Sequence, residues 1–321
     1  MGSSETEGKV PPLALVALII GCILWGSGAA IGKIALSAYD PIFLVVCRLV
    51  LAFLVFTPII IYRFWPIRLH QKKDIFILLL LILCDPVSFF TFEALALKHT
   101  SATQAGMMWA IAPLLNVMLA WIILRERTTM PVLLCFLVAM AGVGLLTAAG
   151  ESSEHAPNPA LGNFLEFLSL CGAAGFVVIL RFLRGRYPAM LIVWIQCLGA
   201  SILMLPGLAL ESTVFPSEFP LQPTLALLYL GICVTFGAQM CSAYGIGRVP
   251  VARSSSISNI IPVCGVFFGI IILRETMLPL QWLACGIVLL AVLLSQYFQR
   301  RAVKLVQDEP IASEEDAPSS E

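Results

Sequence analysis

The chain has 321 residues, of which 60% are hydrophobic and 12% are charged, and its mean hydropathy is +0.96. An ordinary soluble domain carries about 25% charged residues, so this composition excludes a soluble globular protein and predicts one that lies in a membrane. The 19 basic and 19 acidic residues cancel, so the net charge gives no sign of a nucleic-acid partner. We expect a lipid bilayer as the main partner and no nucleic acid.

Ten apolar segments are long enough to cross a bilayer. A helix rises about 1.5 Å per residue, so roughly 20 residues span the hydrocarbon core of about 30 Å. The predicted spans are 12–36, 41–63, 74–97, 100–124, 131–149, 161–183, 188–211, 222–245, 250–273 and 279–298. Charged residues, prolines and glycines fill the turns between them, as expected at helix ends. The fold class is therefore all-α, with ten transmembrane helices.

One polar segment, residues 150–160 (GESSEHAPNPA), separates five spans from five. The predicted organisation is a cytoplasmic N-terminus over 1–11, a first five-helix repeat over 12–149, this linker over 150–160, a second repeat over 161–298, and a cytoplasmic tail over 299–321. The end of the tail is acidic and rich in serine and proline, so we expect the tail to be disordered.

Two stretches of the chain, 100–127 and 249–276, carry the same landmarks. The matched features are Pro113 with Pro262, and Leu124-Arg125-Glu126 with Leu273-Arg274-Glu275, at one constant offset (262 − 113 = 149 and 275 − 126 = 149). Because each repeat has an odd number of spans, the second enters the membrane upside down relative to the first. This inverted repeat is typical of secondary transporters.

Lysine and arginine residues are distributed unequally between the two sets of turns. The richer set contains Lys9, Arg63, Arg68, Lys72, Lys73, Arg125, Arg127, Arg181, Arg184, Arg186, Arg248, Arg300, Arg301 and Lys304. The other set contains Lys98 and Arg274, with Lys33 at a helix end. Since basic turns stay in the cytoplasm, we predict that both termini are cytoplasmic. A bacterial inner membrane is the working hypothesis for the location.

Pro113 and Pro262 fall near the middle of their spans and are the predicted helix-kink residues. A proline removes a backbone donor and leaves unpaired the carbonyl four residues earlier, here that of Trp109 and of Ser258. One such proline is explained by a harmless kink. Two at equivalent depth in two repeats favour a cavity between the halves, because an unpaired carbonyl must face protein or water.

Ionisable side chains are costly within a bilayer, so each is a candidate functional residue. In the third span, Asp85, Phe89 and Glu93 share one helical face, which we expect to line the cavity. The Asp85 carboxyl is placed to take up a proton or to hold a substrate ammonium group. Arg48 is a candidate for a substrate carboxylate, with a structural ion pair as the alternative.

Structural pairing is also an alternative for the acidic residues. Asp85 and Glu93 would then pair with Arg48 and Lys33 as ion pairs. Lys33, Glu93 and Glu166 are therefore candidates either for ion coupling or for ion pairing, and proton coupling is an expectation. The predicted substrate-binding residues are Trp25, Arg48, Asp85, Phe89, Trp109, Gln239, Ser255 and Asn259, which combine aromatic walls with polar and charged groups.

The chain resembles the drug/metabolite transporter superfamily in its EamA-like branch, over about residues 13–298. The residues that carry the resemblance are Trp25-Gly26-Ser27, Pro41 with Arg48, Thr100-Ser101-Ala102 with Pro113, the two Leu-Arg-Glu motifs, and Val251 with Pro262. The resemblance implies a ten-helix, five-plus-five inverted-repeat carrier. Its expected substrates are small organic metabolites, commonly amino acids or amino-acid-like compounds, moved by alternating access around a central cavity.

Other functions remain as alternatives at this point. An exporter of drugs or other amphipathic compounds, or a passive channel, is compatible with the same spans. An enzyme is not expected, because the three histidines lie in loops and there is no HExxH motif. All ten cysteines lie in apolar runs without a CxxC pair, so we expect no metal and no cofactor. Small-residue motifs fit either a monomer or a dimer.

Overall fold

The computed structural model describes residues 11–66, 71–126, 128–153, 156–183, 185–210, 213–246, 248–249 and 251–308. The described chain forms ten long apolar helices that we number α1 to α10. The first five are α1 (Pro12–Leu36), α2 (Pro41–Phe64), α3 (Lys73–His99), α4 (Ala102–Leu124) and α5 (Met130–Ala148). The second five are α6 (Pro159–Leu183), α7 (Ala189–Ala209), α8 (Leu221–Gly245), α9 (Val251–Ser258 with Ile260–Leu273) and α10 (Pro279–Asp308).

The predicted fold class is confirmed: the protein is an all-α, ten-helix membrane protein built as a five-plus-five inverted repeat. The helix ends differ from the predicted ones by a few residues, except at the C-terminus. There α10 continues to Asp308, whereas the predicted span ends at residue 298 and the predicted disordered tail begins at 299. Residues 299–308 are largely polar, so the helix can extend beyond the lipid without placing these side chains in the apolar core of the membrane. Residues 309–321 of that tail, and 1–10 at the N-terminus, lie outside the described residues.

Helix packing follows the two-fold relation between the repeats. α1 packs against α8 and α9, and its counterpart α6 packs against α3 and α4. Three further contacts join a helix to its own counterpart, namely α2 with α7, α4 with α9, and α5 with α10. A two-fold axis in the membrane plane produces this pattern because it exchanges the two repeats. We call the side where α1 begins the terminal face and the other side the distal face.

The turn after each Leu-Arg-Glu motif has the same backbone conformation in both repeats. Arg125 ends α4 and Arg274 ends α9, each with φ 55° and ψ 31°, which is left-handed. The next residue donates its backbone N–H to a carbonyl in the last turn, from Glu126 to Ala120 and from Glu275 to Gly269. A left-handed residue followed by such a hydrogen bond is a usual way to end a helix.

Glycines allow α4 and α9 to approach closely near the distal face. A Cβ atom added at Gly106 would lie 2.7 Å from the Cα atom of Gly265, and the reverse addition gives the same distance. Real Cβ atoms do not approach backbone so closely. The pair therefore fixes the two repeats against each other through backbone contact, as small residues do between membrane helices.

We predict that Gly106→Ala lowers the stability of the protein by about 1–3 kcal/mol, because the two helix backbones must separate to admit one methyl group. The matched control is Gly144→Ala on α5, where an added Cβ meets nothing within 4 Å. The midpoint of thermal unfolding is measured with a maleimide dye, which reacts with the cysteines as unfolding exposes them. An unchanged midpoint for Gly106→Ala would contradict the close approach.

Candidate functional site

A buried arginine links the two repeats. The Arg48 side chain on α2 is 7% exposed, and its Nε donates a hydrogen bond of 2.7 Å to Thr235 Oγ1 on α8. Its Nη1 lies 3.2 Å from Glu93 Oε2 on α3, and its guanidinium group lies 3.9 Å from the centroid of the Phe90 ring. The guanidinium group is thus held by a carboxylate, a hydroxyl and an aromatic face, all within apolar surroundings.

The structure corrects the alternative pairing of the acids. Glu93 pairs with Arg48 and not with Lys33, because α2 packs beside this part of α3. Lys33 lies at the distal end of α1, close enough to Glu275 for electrostatic attraction, and lines a pocket of about 350 Å³ with Lys98 and Gln222. Asp85 is not paired with Arg48 by direct contact, although the two charges interact.

Glu166 is the most buried acidic group near this pair. Its side chain on α6 is 1% exposed, and among the described residues its Oε2 atom is buried without a hydrogen-bond partner. Glu93 is close enough to act on it electrostatically, with the same sign of charge. A carboxylate in such a position is costly to leave ionised, because it lacks a donor and faces another negative charge.

Asp85 lies where the backbone of α3 is irregular. Its φ of −145° and ψ of 119° interrupt the helix within the turn Leu83–Ser88. The Asp85 carbonyl oxygen accepts a hydrogen bond from the Gln196 side chain on α7. Irregular backbone at membrane depth must be satisfied by protein or water, and here an amide side chain of the other repeat satisfies it. The half-buried Asp85 side chain is therefore presented at a break between the repeats.

Two aromatic side chains adjoin this break. Phe89 is 6% exposed and meets the half-buried Trp109 ring edge to face, with 5.5 Å between the ring centroids. Trp109 contacts the two largest apolar clusters of the interior, one centred on α4, α5 and α10 and one on α2, α3 and α7. The tryptophan thus lies at the junction of the two halves.

The two helices with the predicted kink prolines, α4 and α9, are each interrupted just before that proline. In α4 a tighter turn, Trp109–Ile111, separates Ala102–Met108 from the segment that contains Pro113. The Trp109 carbonyl accepts the N–H of Ala112, so the expectation that it is unpaired is wrong: the tighter turn supplies a donor one residue earlier than proline would. In α9 the interruption falls at Asn259, three residues before Pro262.

No hydrogen bond or ion pair joins Trp25, Gln239 or Asn259 to Arg48 or Asp85 among the described residues. Trp25 packs at the edge of a cluster that includes Tyr39 and Val234. The half-buried Gln239 follows Thr235 by four residues on α8. Asn259 is also half-buried and exchanges two hydrogen bonds with Gln296 on α10, of 3.0 and 3.2 Å. The side chain of Ser255 lies outside the described part of the chain.

The sequence reasoning missed several polar contacts that join the repeats. Thr235 and Gln196 hold Arg48 and the Asp85 backbone from the second repeat. Glu275 on the distal face binds the start of α4 with both carboxylate oxygens. The repetition of Leu-Arg-Glu was visible in the sequence, but a repeat alone does not identify the partner of its glutamate.

These observations define the class of protein. A ten-helix inverted repeat that holds charged and aromatic side chains at broken helices between its halves has the architecture of a membrane transporter. Comparison with known proteins gives the family. The EamA-like transporter family model matches residues 12–148 and again 160–297, so the chain belongs to this family. The family is one of transporters, and relatives of the chain are also named as transporters.

Several relatives and one solved structure are similar to the chain. An uncharacterized transporter of Bacillus subtilis, YetK, is 26% identical over 82% of this chain and 80% of its own length. An S-adenosylmethionine/S-adenosylhomocysteine transporter of Chlamydia muridarum is 24% identical over 88% and 91%. A probable terminal-alkyne amino-acid exporter of Streptantibioticus cattleyicolor is 23% identical over 83% and 88%. A crystal structure at 21% identity shares the fold, with a TM-score of 0.62 over 90% and 99%.

We predict that Arg48→Gln and Glu93→Gln each destabilise the protein by about 3–5 kcal/mol, because each leaves a buried charge without its partner. The double variant should lose less stability than the two single variants lose together, because neither buried charge then remains. Thermal unfolding of the four proteins measures this coupling. Glu166→Gln is the control, since it changes a buried carboxyl group with one unpartnered oxygen and is expected to cost little. Strictly additive losses would show that Arg48 and Glu93 do not act as a pair.

Proposed function

We propose that this protein is a secondary carrier of small organic metabolites, namely amino acids or amino-acid-like compounds, and that it works by alternating access. The observation that carries the proposal is the charged break between the repeats. Arg48 and Asp85 of the first repeat are held there by Thr235 and Gln196 of the second. A site built from both halves changes its exposure when one half rocks against the other.

The chemistry of the break favours a zwitterionic substrate. Arg48 offers a guanidinium group to a carboxylate, and Asp85 offers a carboxylate to an ammonium group. Phe89 and Trp109 add aromatic surface beside them, which suits a substrate with a large side chain. Two relatives are named for compounds that carry an amino-acid group: S-adenosylmethionine with S-adenosylhomocysteine, and a terminal-alkyne amino acid. These names support the substrate class without identifying the substrate.

Proton coupling is part of the proposal. Asp85, Glu93 and Glu166 provide three carboxyl groups near one guanidinium group, that of Arg48. If all were ionised, the cluster would carry two uncompensated negative charges in a medium that disfavours even one. Uptake of protons at these carboxyl groups removes the excess negative charge. Release of a proton on one side of the membrane can then drive transport of the substrate.

The location follows from the distribution of basic residues. Both termini are proposed to be cytoplasmic, because lysine and arginine are concentrated in the turns of the terminal face. A bacterial inner membrane is proposed as the location because two of the similar transporters are those of bacteria. The close contacts of Gly106 with Gly265 lie within one chain, which fits a monomer as well as a dimer.

We predict that Asp85→Asn abolishes transport while the protein stays folded, because the amide cannot bind a proton or attract an ammonium group. Purified protein in liposomes loaded with unlabelled amino acids is assayed for exchange against labelled amino acids, at several pH values. Full uptake by Asp85→Asn at all pH values would refute a coupling role for this carboxyl.

The same assay separates the alternatives. Saturable exchange favours a carrier, and single-channel currents would indicate a passive channel instead. Exchange of amphipathic cations without exchange of any amino acid would favour a drug exporter. Ser217→Ala, in the turn before α8, is the matched control for a substitution far from the break, and its transport should equal that of the unchanged protein.

A further inference from the structure

A contact at the distal face joins the two repeats and has no counterpart among the described residues of the terminal face. Glu275 follows α9 and is 7% exposed. Its Oε1 accepts the backbone N–H of Ala102 at 2.8 Å, and its Oε2 accepts the N–H of Thr103 at 2.8 Å and the Thr103 hydroxyl at 2.9 Å. A carboxylate of the second repeat therefore caps the first turn of α4 in the first repeat, with its charge at the positive end of that helix.

Close packing accompanies this cap. All seven residues of Ala102–Met108 are buried, and this segment packs against Ile260–Leu273 of α9. An added Cβ at Gly269 would lie 2.6 Å from the Thr103 Cγ2 atom and 3.1 Å from Glu275 Oε2. Backbone contact and the cap thus seal the same end of the α4 and α9 pair.

The two-fold relation assigns the counterpart of this contact to the terminal face. Glu126 matches Glu275, and residues 251 and 252 match Ala102 and Thr103 at the same offset (275 − 126 = 149 and 251 − 102 = 149). Glu126, however, is about half exposed and pairs with Arg181 at the end of α6. The counterpart helix segments, Val251–Ser258 and Ala112–Leu124, show no comparable packing in the described part of the chain.

The exposed side chains show the same difference between the terminal and distal ends of the α4 and α9 pair. Among the described side chains of Val251–Ser258, Arg253, Ser256 and Ser258 are exposed, in contrast to the fully buried segment of α4. Among the described residues, the α4 and α9 pair is thus closely packed at its distal end and more exposed at its terminal end. An inverted repeat reaches its second state when the two halves exchange conformations, so the contact made by one glutamate is then made by the other.

We propose that Glu275 and Glu126 are alternating positioning residues of the transport cycle: Glu275 caps α4 when the distal face is closed, and Glu126 leaves Arg181 to cap α9 when the terminal face is closed. The inference rests on the proposed carrier function, since it needs two states. It also predicts unequal states, because Ala252 lacks the hydroxyl that Thr103 adds to the cap and a proline, Pro250, stands where Ser101 caps α4.

Hydrogen–deuterium exchange of the protein in lipid nanodiscs tests this proposal without a substrate. In Glu275→Ala, peptides covering 100–108 should exchange about tenfold faster, because two amide donors lose a charged acceptor. Peptides covering 251–258, on the other side of the membrane, should exchange severalfold more slowly, because Glu126 now caps them. A purely local cap does not produce this second change.

The matched variants are Glu126→Ala and the double variant. Glu126→Ala should leave 100–108 as protected as in the unchanged protein, and the double variant should lose the gain of protection at 251–258. Faster exchange at 100–108 with no change at 251–258 in Glu275→Ala would overturn the proposal, as would unchanged exchange at 100–108.

A second variant keeps the test decisive if Glu275→Ala fails to fold. Arg181→Gln alters only the exposed partner of Glu126, leaves Glu275 in place, and should increase exchange at 100–108 because Glu126 is freed for its other contact. No increase would contradict the alternation. Since exchange needs no substrate, reciprocal protection without transport of any amino acid would reject the proposed substrate class and leave the alternation standing.

Discussion

The structure depends on one constraint: inside a bilayer, every backbone N–H and C=O group needs a partner within the protein. Regular helices meet this requirement along most of each span. The irregular segments include the turn around Asp85 and the interruptions before Pro113 and Pro262, and these three lie where helices of both repeats meet. Irregular backbone must therefore lie inside the protein and away from lipid. At these irregular turns, polar side chains can face a substrate.

The charged residues follow from the same constraint. Arg48 is acceptable at its depth because Glu93, Thr235 and the Phe90 ring surround its guanidinium group. The Oε2 atom of Glu166 has no donor among the residues that the structure describes, and its neighbour Glu93 has the same sign of charge. A buried group that is poorly satisfied as an ion is suited to gain and lose a proton, whereas a well-paired group is suited to hold the two repeats together.

The two repeats share the conformation of one helix end but differ in the side-chain contacts made there. Both Leu-Arg-Glu turns have the same left-handed arginine, so the local sequence determines the end of each helix in the same way. The glutamates that follow have different partners, namely the start of α4 for Glu275 and Arg181 for Glu126. Identical local structure with different contacts is what a two-state inverted repeat requires, since each state is asymmetric.

The sequence predicted the ten helices and their inversion well, because apolar length and the fixed spacing of Pro113 and Pro262 are local features. It did not predict the partner of Glu93. Lys33 and Arg48 lie at similar depths on different helices, and the distance between helices is not encoded in spacing along the chain. For the same reason the role of Glu275 was missed, and the Trp109 carbonyl was expected to be unpaired although a tighter turn satisfies it.

The central claim is that two five-helix repeats cross the membrane in opposite senses. Single cysteines replacing the exposed residues Glu126 and Thr276 can be labelled in intact cells with a membrane-impermeant maleimide, against the background of the unchanged protein. Our account predicts that one of the two positions is labelled at once and that the other is labelled only after permeabilisation. Labelling of both positions from the same side of the membrane would contradict it.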